Sequence, residues 1–151
     1  MKRSSYDVFW QDLHQRASEM RIPVRVMFEL TYRCNFSCKH CYVPACYQKT
    51  YRAQELSRKD VFSILRQLKS AGCLFLGFTG GEIFCRKDAL AILFYAKKLG
   101  FQSIIYTNGS LIDNTVACAL EEISPNKVDI TIPGMSDRVF ERITGVIGSR
   151  D

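Results

Sequence analysis

Residues 74–109 read LFLGFTGGEIFCRKDALAILFYAKKLGFQSIIYTNG. The first six, 74–79, are an apolar run of strand length. Residues 88–100 carry Ala89, Ile92, Leu93 and Ala96 on one helical face, and Gly100 supplies the stop. Residues 103–107, SIIYT, form a second strand-like run. Strand, amphipathic helix and strand in that order, with short joins, specify a right-handed crossover and a parallel strand pair.

The same alternation extends in both directions. Upstream, residues 24–30 place Val24, Val26, Phe28 and Leu30 on one face of a strand. A helix over 57–72 follows, with Ser57 as N-cap, Asp60 three residues later and Gly72 after the last turn. Its apolar stripe is Val61, Phe62, Leu65 and Leu68. Downstream, a helix over 113–124 ends at Pro125, VDITI (128–132) is a fourth strand, and 136–145 is a fourth helix. Ahead of the series, Phe9, Leu13, Ala17 and Met20 recur at helical spacing over 6–20, and Pro23 ends that pattern. The expected fold class is therefore α/β: a parallel (β/α) partial TIM-type barrel of four βα units behind a short N-terminal helix. Residues 1–21 are the helical extension and 22–151 the barrel portion.

The totals agree with a single globular domain of 151 residues, 47% hydrophobic and 24% charged. No run reaches the roughly 18 apolar residues that span a membrane. The N-terminus MKRSSYDVFW has no apolar core behind its basic residues, so no signal peptide is expected and the chain reads as cytoplasmic. Seven cysteines in a reducing compartment point to metal before disulfides. The net charge is +6, but Lys and Arg are scattered near helix ends, which describes a solvated surface; neither a nucleic acid nor a membrane is expected as partner.

In parallel α/β folds the chemistry gathers at the carboxyl ends of the strands. After the first strand comes TYRCNFSCKHCY (31–42), with Cys34, Cys38 and Cys41 spaced x3 then x2. After the second comes Thr79-Gly80-Gly81-Glu82, after the third Thr107-Asn108-Gly109, after the fourth Pro133-Gly134. Topology puts all four loops on one rim. Singly they are weak signals. Gly80 and Gly81 read equally as a plain turn, and Glu82 as a first-turn acid favoured by the helix dipole. A zinc site would need a fourth ligand from His40, Cys46 or elsewhere, and His40 is cramped between two of the cysteines. Three thiolates also suit a four-iron cluster that keeps one iron free for another ligand.

Cys34-x3-Cys38-x2-Cys41 directly after a first strand, followed in order by FTGGE, TNG and ITG, resembles the radical S-adenosylmethionine (SAM) superfamily over residues 22–149. The likeness is strongest to the peptide-modifying and sulfatase-maturing branch associated with SPASM domains. The resemblance implies that Cys34, Cys38 and Cys41 ligate three irons of a [4Fe–4S] cluster. The fourth iron would hold the amino and carboxylate groups of SAM. It implies Gly80, Gly81 and Glu82 along that amino group, His40 by the adenine, and Asn108 and Thr131 on the ribose side. It further implies reductive cleavage of SAM to a 5′-deoxyadenosyl radical, hydrogen abstraction from a peptide or protein, and a one-electron donor of flavodoxin or ferredoxin type. No catalytic side chain is implied.

Two positions depart from the family pattern: Ile83 stands where proline is usual, and Pro133 where an acidic residue is common. The pattern also stops after four βα units, where the family barrel has six. The expectation is a fragment, a truncated product or a half-barrel completed by a partner, self-associating through the open edge at VDITI. Its competitors are an inactive iron–sulfur and SAM-binding remnant and a zinc-binding interaction module. Of the other cysteines, Cys73 and Cys118 read as core or helix-face residues. Cys46 and Cys85 follow the first two strands and are candidates for a second metal.

Overall fold

Apolar residues two apart decide which side of the sheet is covered. In β1 (Arg25–Thr31), Val26, Phe28 and Leu30 turn to one side. Leu76 and Phe78 of β2 (Phe75–Gly80) and Ile105 of β3 (Gln102–Thr107) join them, fully buried, and Val128 of β4 (Lys127–Ile130) packs at the margin. The computed structural model describes residues 5–43, 47, 50, 51 and 54–148. Its four strands are all parallel, in the order β1-β2-β3-β4, so β1 and β4 are the edges of an open sheet. This is the partial barrel that the alternation specifies.

The helices between the strands cover the apolar side. α1 (Ser5–Glu19) precedes the sheet, and its Trp10 ring lies 6.0 Å from Phe75. α2 (Arg58–Ser70) begins with the capping box expected at Ser57 and Asp60, each side chain accepting from the other's backbone N–H. Its Val61 and Leu65 are fully buried, facing Ile92 and Leu93 of α3 (Ala89–Lys98) in the same core. α4 (Asn114–Ile123) adds Leu120 and Ile123 to that core, and α5 (Asp137–Thr144) follows β4. The other side of the sheet presents Met27, Glu29, Thr79 and Tyr106 to an open hollow.

Helix ends fall within two residues of the expected ones. β4 ends at Ile130 and not at Ile132. Thr131 still donates its N–H to the Thr107 carbonyl (3.1 Å), but Ile132 is outside the strand. Ile83, the departure from proline, belongs to the core and is fully buried on a short 3-10 turn, Ile83–Cys85. Cys73 is a core residue and Cys118 lies on an exposed helix face; Cys46 is outside the described residues.

The sequence reading gave no role to Arg86, which ties the sheet to the segment before α2. Its buried guanidinium donates to the Leu30 carbonyl (3.1 Å) and the Leu56 carbonyl (2.7 Å), and pairs with Asp88 (2.7 and 3.2 Å). Asp88 is thereby occupied and makes no cap to α3. The Arg86 hydrogen bonds hold the Asp88 carboxyl below its usual range. Arg86→Met should lower the unfolding free energy by about 3 kcal/mol at pH 7, because two carbonyls and a half-buried carboxylate lose their donor. Since the folded pKa of Asp88 is depressed, the contribution of this pair is complete above the ordinary value of 3.8 and fades as pH falls through the folded value. Urea unfolding of both proteins at pH 7 and in acid checks this, the gap between them narrowing in acid.

Candidate functional site

The cysteine loop leaves the end of β1 and is held from both sides. On one side, Phe36 and Phe140 are both buried and meet edge to face at 6.0 Å. Ser37 and Lys39 donate their N–H groups to the carbonyls of Thr144 (2.8 Å) and Ile143 (3.0 Å), at the C-terminal end of α5. A helix leaves its last carbonyls without partners, and here the cysteine loop satisfies two of them. Gly145, left-handed at φ +73, ends the helix beneath Ser37. The ITG motif is thus the seat of the loop. On the other side, the Thr31 hydroxyl donates to Glu55 and accepts from the Arg33 N–H (3.0 Å), while the Arg33 side chain pairs with Glu55 at 3.0 Å.

The glycine pair also joins the end of β2 to the cysteine loop. Gly81 donates its N–H to the Thr31 carbonyl and Glu82 to the Arg33 carbonyl, both at 2.7 Å. A Cβ on Gly80 would stand 2.2 Å from the Thr31 oxygen, and one on Gly81 2.2 Å from the Arg33 oxygen. The chain needs glycine here so that the end of β2 can lie against the backbone of the cysteine loop. Gly80, at φ +125, also occupies a conformation few other residues adopt.

Glu82 is fully buried and is not among the residues lining the cavity described below. Its carboxylate accepts from the Thr107 hydroxyl (2.8 and 2.9 Å), the Asn108 N–H (2.7 Å) and the Phe84 N–H (3.1 Å). The Thr107 hydroxyl accepts in turn from the Gly109 N–H at 3.0 Å. The side chain expected to face a ligand stands behind the rim and braces the turn after β3.

What faces the rim is a cavity of about 260 Å³. Cys34, Cys38 and Cys41 line it with His40, Gly80, Gly81, Asn108 and Thr131. Apart from Glu82, every residue singled out for the site therefore meets at one cavity, although they come from the ends of all four strands. Pro133, Thr79 and Thr107 of the rim loops line it too, with Phe36, Tyr42 and Tyr106, which no motif singles out. Tyr42 directs its hydroxyl to the Thr79 hydroxyl (3.0 Å) and the Gly80 carbonyl (3.2 Å). Tyr42, Thr79 and Tyr106 also line the open hollow on the inner face, so they separate the two spaces.

None of the six described cysteines is in a disulfide. Burial pushes the Cys34 thiol up to about 11, opposed by the Phe36 N–H and reinforced by nearby Cys85, Glu82 and Cys38. Burial, then the neighbouring Cys41, raises Cys38. With no cation beside them these thiols hold their protons more tightly than free cysteine does; a bound cation would offset that penalty. Among the described residues, no three His, Cys, Asp or Glu side chains converge on one point as ligands of a single ion. The three thiols line one cavity.

The family model described as the radical SAM superfamily matches residues 28–151. The chain is 32% identical over 126 residues to an Fe-coproporphyrin III synthase of Methanosarcina barkeri, covering 83% of this chain and 31% of that protein. It is 29% identical over 128 residues to a PqqA peptide cyclase of Gluconobacter oxydans, covering 85% and 35%. Its fold matches the crystal structure of Streptococcus suis SuiB bound to S-adenosylmethionine with a TM-score of 0.69 at 20% identity, over 99% of this chain and 34% of SuiB. The chain thus spans about a third of the length of the relatives it matches.

Proposed function

The chain belongs to the radical SAM superfamily, and from that premise we propose that Cys34, Cys38 and Cys41 hold a [4Fe–4S] cluster beside a SAM-binding cavity. The observation that carries this is the meeting of the three thiols with Gly80, Gly81, Asn108 and Thr131 at one cavity of about 260 Å³. When bound, the two groups supply one-electron reductive cleavage that ends in hydrogen abstraction from a substrate. The chain's own part is to bind and orient them. Gly80 and Gly81 present backbone along the wall, His40 and Thr131 flank the cavity, and Glu82 supports Asn108 from behind. Residues 22–151 are then the first four βα units of the family's core domain, and 1–21 a helical extension.

We assign the substrate to peptides or proteins. A peptide cyclase among the relatives supports this. Exposed Lys39, whose N–H is bound to the Ile143 carbonyl, and exposed Arg142, the residue before Ile143, suit an acidic one-electron donor of flavodoxin or ferredoxin type. Six described cysteines outside any disulfide fit the reducing cytoplasm. Among the described residues no helix is long and apolar enough to cross a membrane.

The test is iron content. After anaerobic reconstitution with iron and sulfide, the parent should hold four irons per chain, and Ala at Cys34, Cys38 or Cys41 should each lose most of them. Full retention in any one variant removes that cysteine from the ligand set. A zinc-binding module, the competing reading, would instead take one zinc and no sulfide.

The free edge of β4 carries a second expectation. Ile130 is 47% exposed and Ile132 65%, beside an unpaired strand edge. The isolated 151-residue chain should associate through it as concentration rises. Anaerobic light scattering that finds only monomer at every concentration contradicts this.

A further inference from the structure

The turn after β3 fixes an amide in an orientation that the cofactor reading does not call for. Asn108 Oδ1 accepts from the Ser110 backbone N–H (2.9 Å) and from the Ser110 hydroxyl (2.7 Å). A backbone N–H can only donate, so this atom is the oxygen and the other end of the amide is the donor. That donor, Nδ2, faces Asn35 Oδ1 at 3.0 Å and Cys34 Sγ at 4.0 Å. Asn35 Nδ2 donates to Ser110 Oγ at 2.8 Å, which closes a ring of three side chains whose donors and acceptors all match. The backbone of Asn108 is pinned as well, by its N–H to Glu82. Rotation of the amide would set Nδ2 against the Ser110 N–H and Oδ1 against the Asn35 oxygen.

We propose that Asn108 is a hydrogen-bond donor to the Cys34 sulfur and so tunes the cluster, with Asn35 and Ser110 as the residues that aim it. The inference rests on the cluster assignment above. The Phe36 N–H already donates to the same sulfur at 3.4 Å, so Asn108 is a second donor to one thiolate. Reduction adds negative charge to a cluster and its thiolates, and N–H donors at the sulfur stabilise that charge. Cys34 would then mark the iron whose environment responds to the turn after β3. Ligand-supporting partners of this kind commonly set the properties of a metal site.

The parent, Asn108→Ala and Asn108→Asp are reconstituted anaerobically. The midpoint potential of each cluster is then read by redox titration with electron paramagnetic resonance (EPR) detection, with no SAM present. Asn108→Asp keeps an acceptor for the Ser110 N–H, so the turn retains its fold. A midpoint belongs to the loaded sites alone, so incomplete loading does not obscure it. The expected order is parent, then Asn108→Ala at a more negative potential, then Asn108→Asp more negative still, because a donor is first lost and then replaced by negative charge. A potential unmoved in both variants, or moved upward, overturns the proposal. So does weakened SAM affinity at an unchanged potential, which would make Asn108 a ligand contact only. A parent that takes up no iron–sulfur cluster overturns the underlying assignment, and this inference with it.

Discussion

Gly81→Val should abolish cluster loading, not merely SAM binding, and destabilise the protein by about 3 to 5 kcal/mol through overpacking and lost hydrogen bonds. The added Cβ would lie 2.2 Å from the backbone oxygen of Arg33 and 2.7 Å from its carbonyl carbon. That backbone has little room to retreat: the Arg33 N–H is bound to Thr31, its carbonyl to the Glu82 N–H, and its side chain to Glu55. Relief must come from parting the end of β2 from the cysteine loop. The Gly81–Thr31 and Glu82–Arg33 hydrogen bonds go with it, and Cys34, the next residue, moves. Iron per chain after reconstitution and urea unfolding of the metal-free protein are the two readings. A variant that loads iron like the parent and loses only SAM affinity would show that the glycine serves the ligand and not the seam.

Glu82→Ala has the second largest expected effect, about 4 kcal/mol, from unsatisfied donors and a small cavity. The carboxylate is 0% exposed, and its removal strands the Asn108 and Phe84 N–H groups with the Thr107 hydroxyl. Glu82→Gln keeps the volume but turns an NH2 toward donors, and should lose about half as much. In both variants the Asn108 amide proton should exchange with solvent faster than in the parent, because its acceptor is gone or impaired. Stability of Glu82→Ala within about 0.5 kcal/mol of the parent would mean that the carboxylate turns to the cavity instead.

The elements were legible because their periods differ. Val24, Val26, Phe28 and Leu30 alternate as a strand must; Val61, Leu65 and Leu68 recur as a helix must; and Ser57, Asp60 and Gly72 punctuate the ends. The meeting of the cysteines with Gly80, Gly81, Asn108 and Thr131 was legible for a reason of topology: parallel strands deliver the loops after them to one rim. Which side of the wall each residue takes was not. Glu82 follows two glycines that line the cavity, yet the 3-10 turn after it carries the carboxylate inward, and no local pattern announces that.

The seat of the cysteine loop was hidden for another reason. Phe36 meets Phe140, and Ser37 meets Thr144, across more than a hundred residues, and each contact joins irregular backbone to the same helix. Arg86 is similar: its partners Leu30 and Leu56 are carbonyls, which any residue type supplies. The fourth strand was read two residues too long because VDITI keeps its alternation past the point where β3 has backbone left to pair with.

The most direct measurement is the EPR spectrum of the reconstituted, reduced protein before and after SAM is added. The account predicts the signal of a reduced four-iron cluster whose g-values shift on adding SAM, since SAM would bind at an iron that Cys34, Cys38 and Cys41 would leave free. Absence of an iron–sulfur signal, or a signal that saturating SAM leaves unchanged, would contradict it.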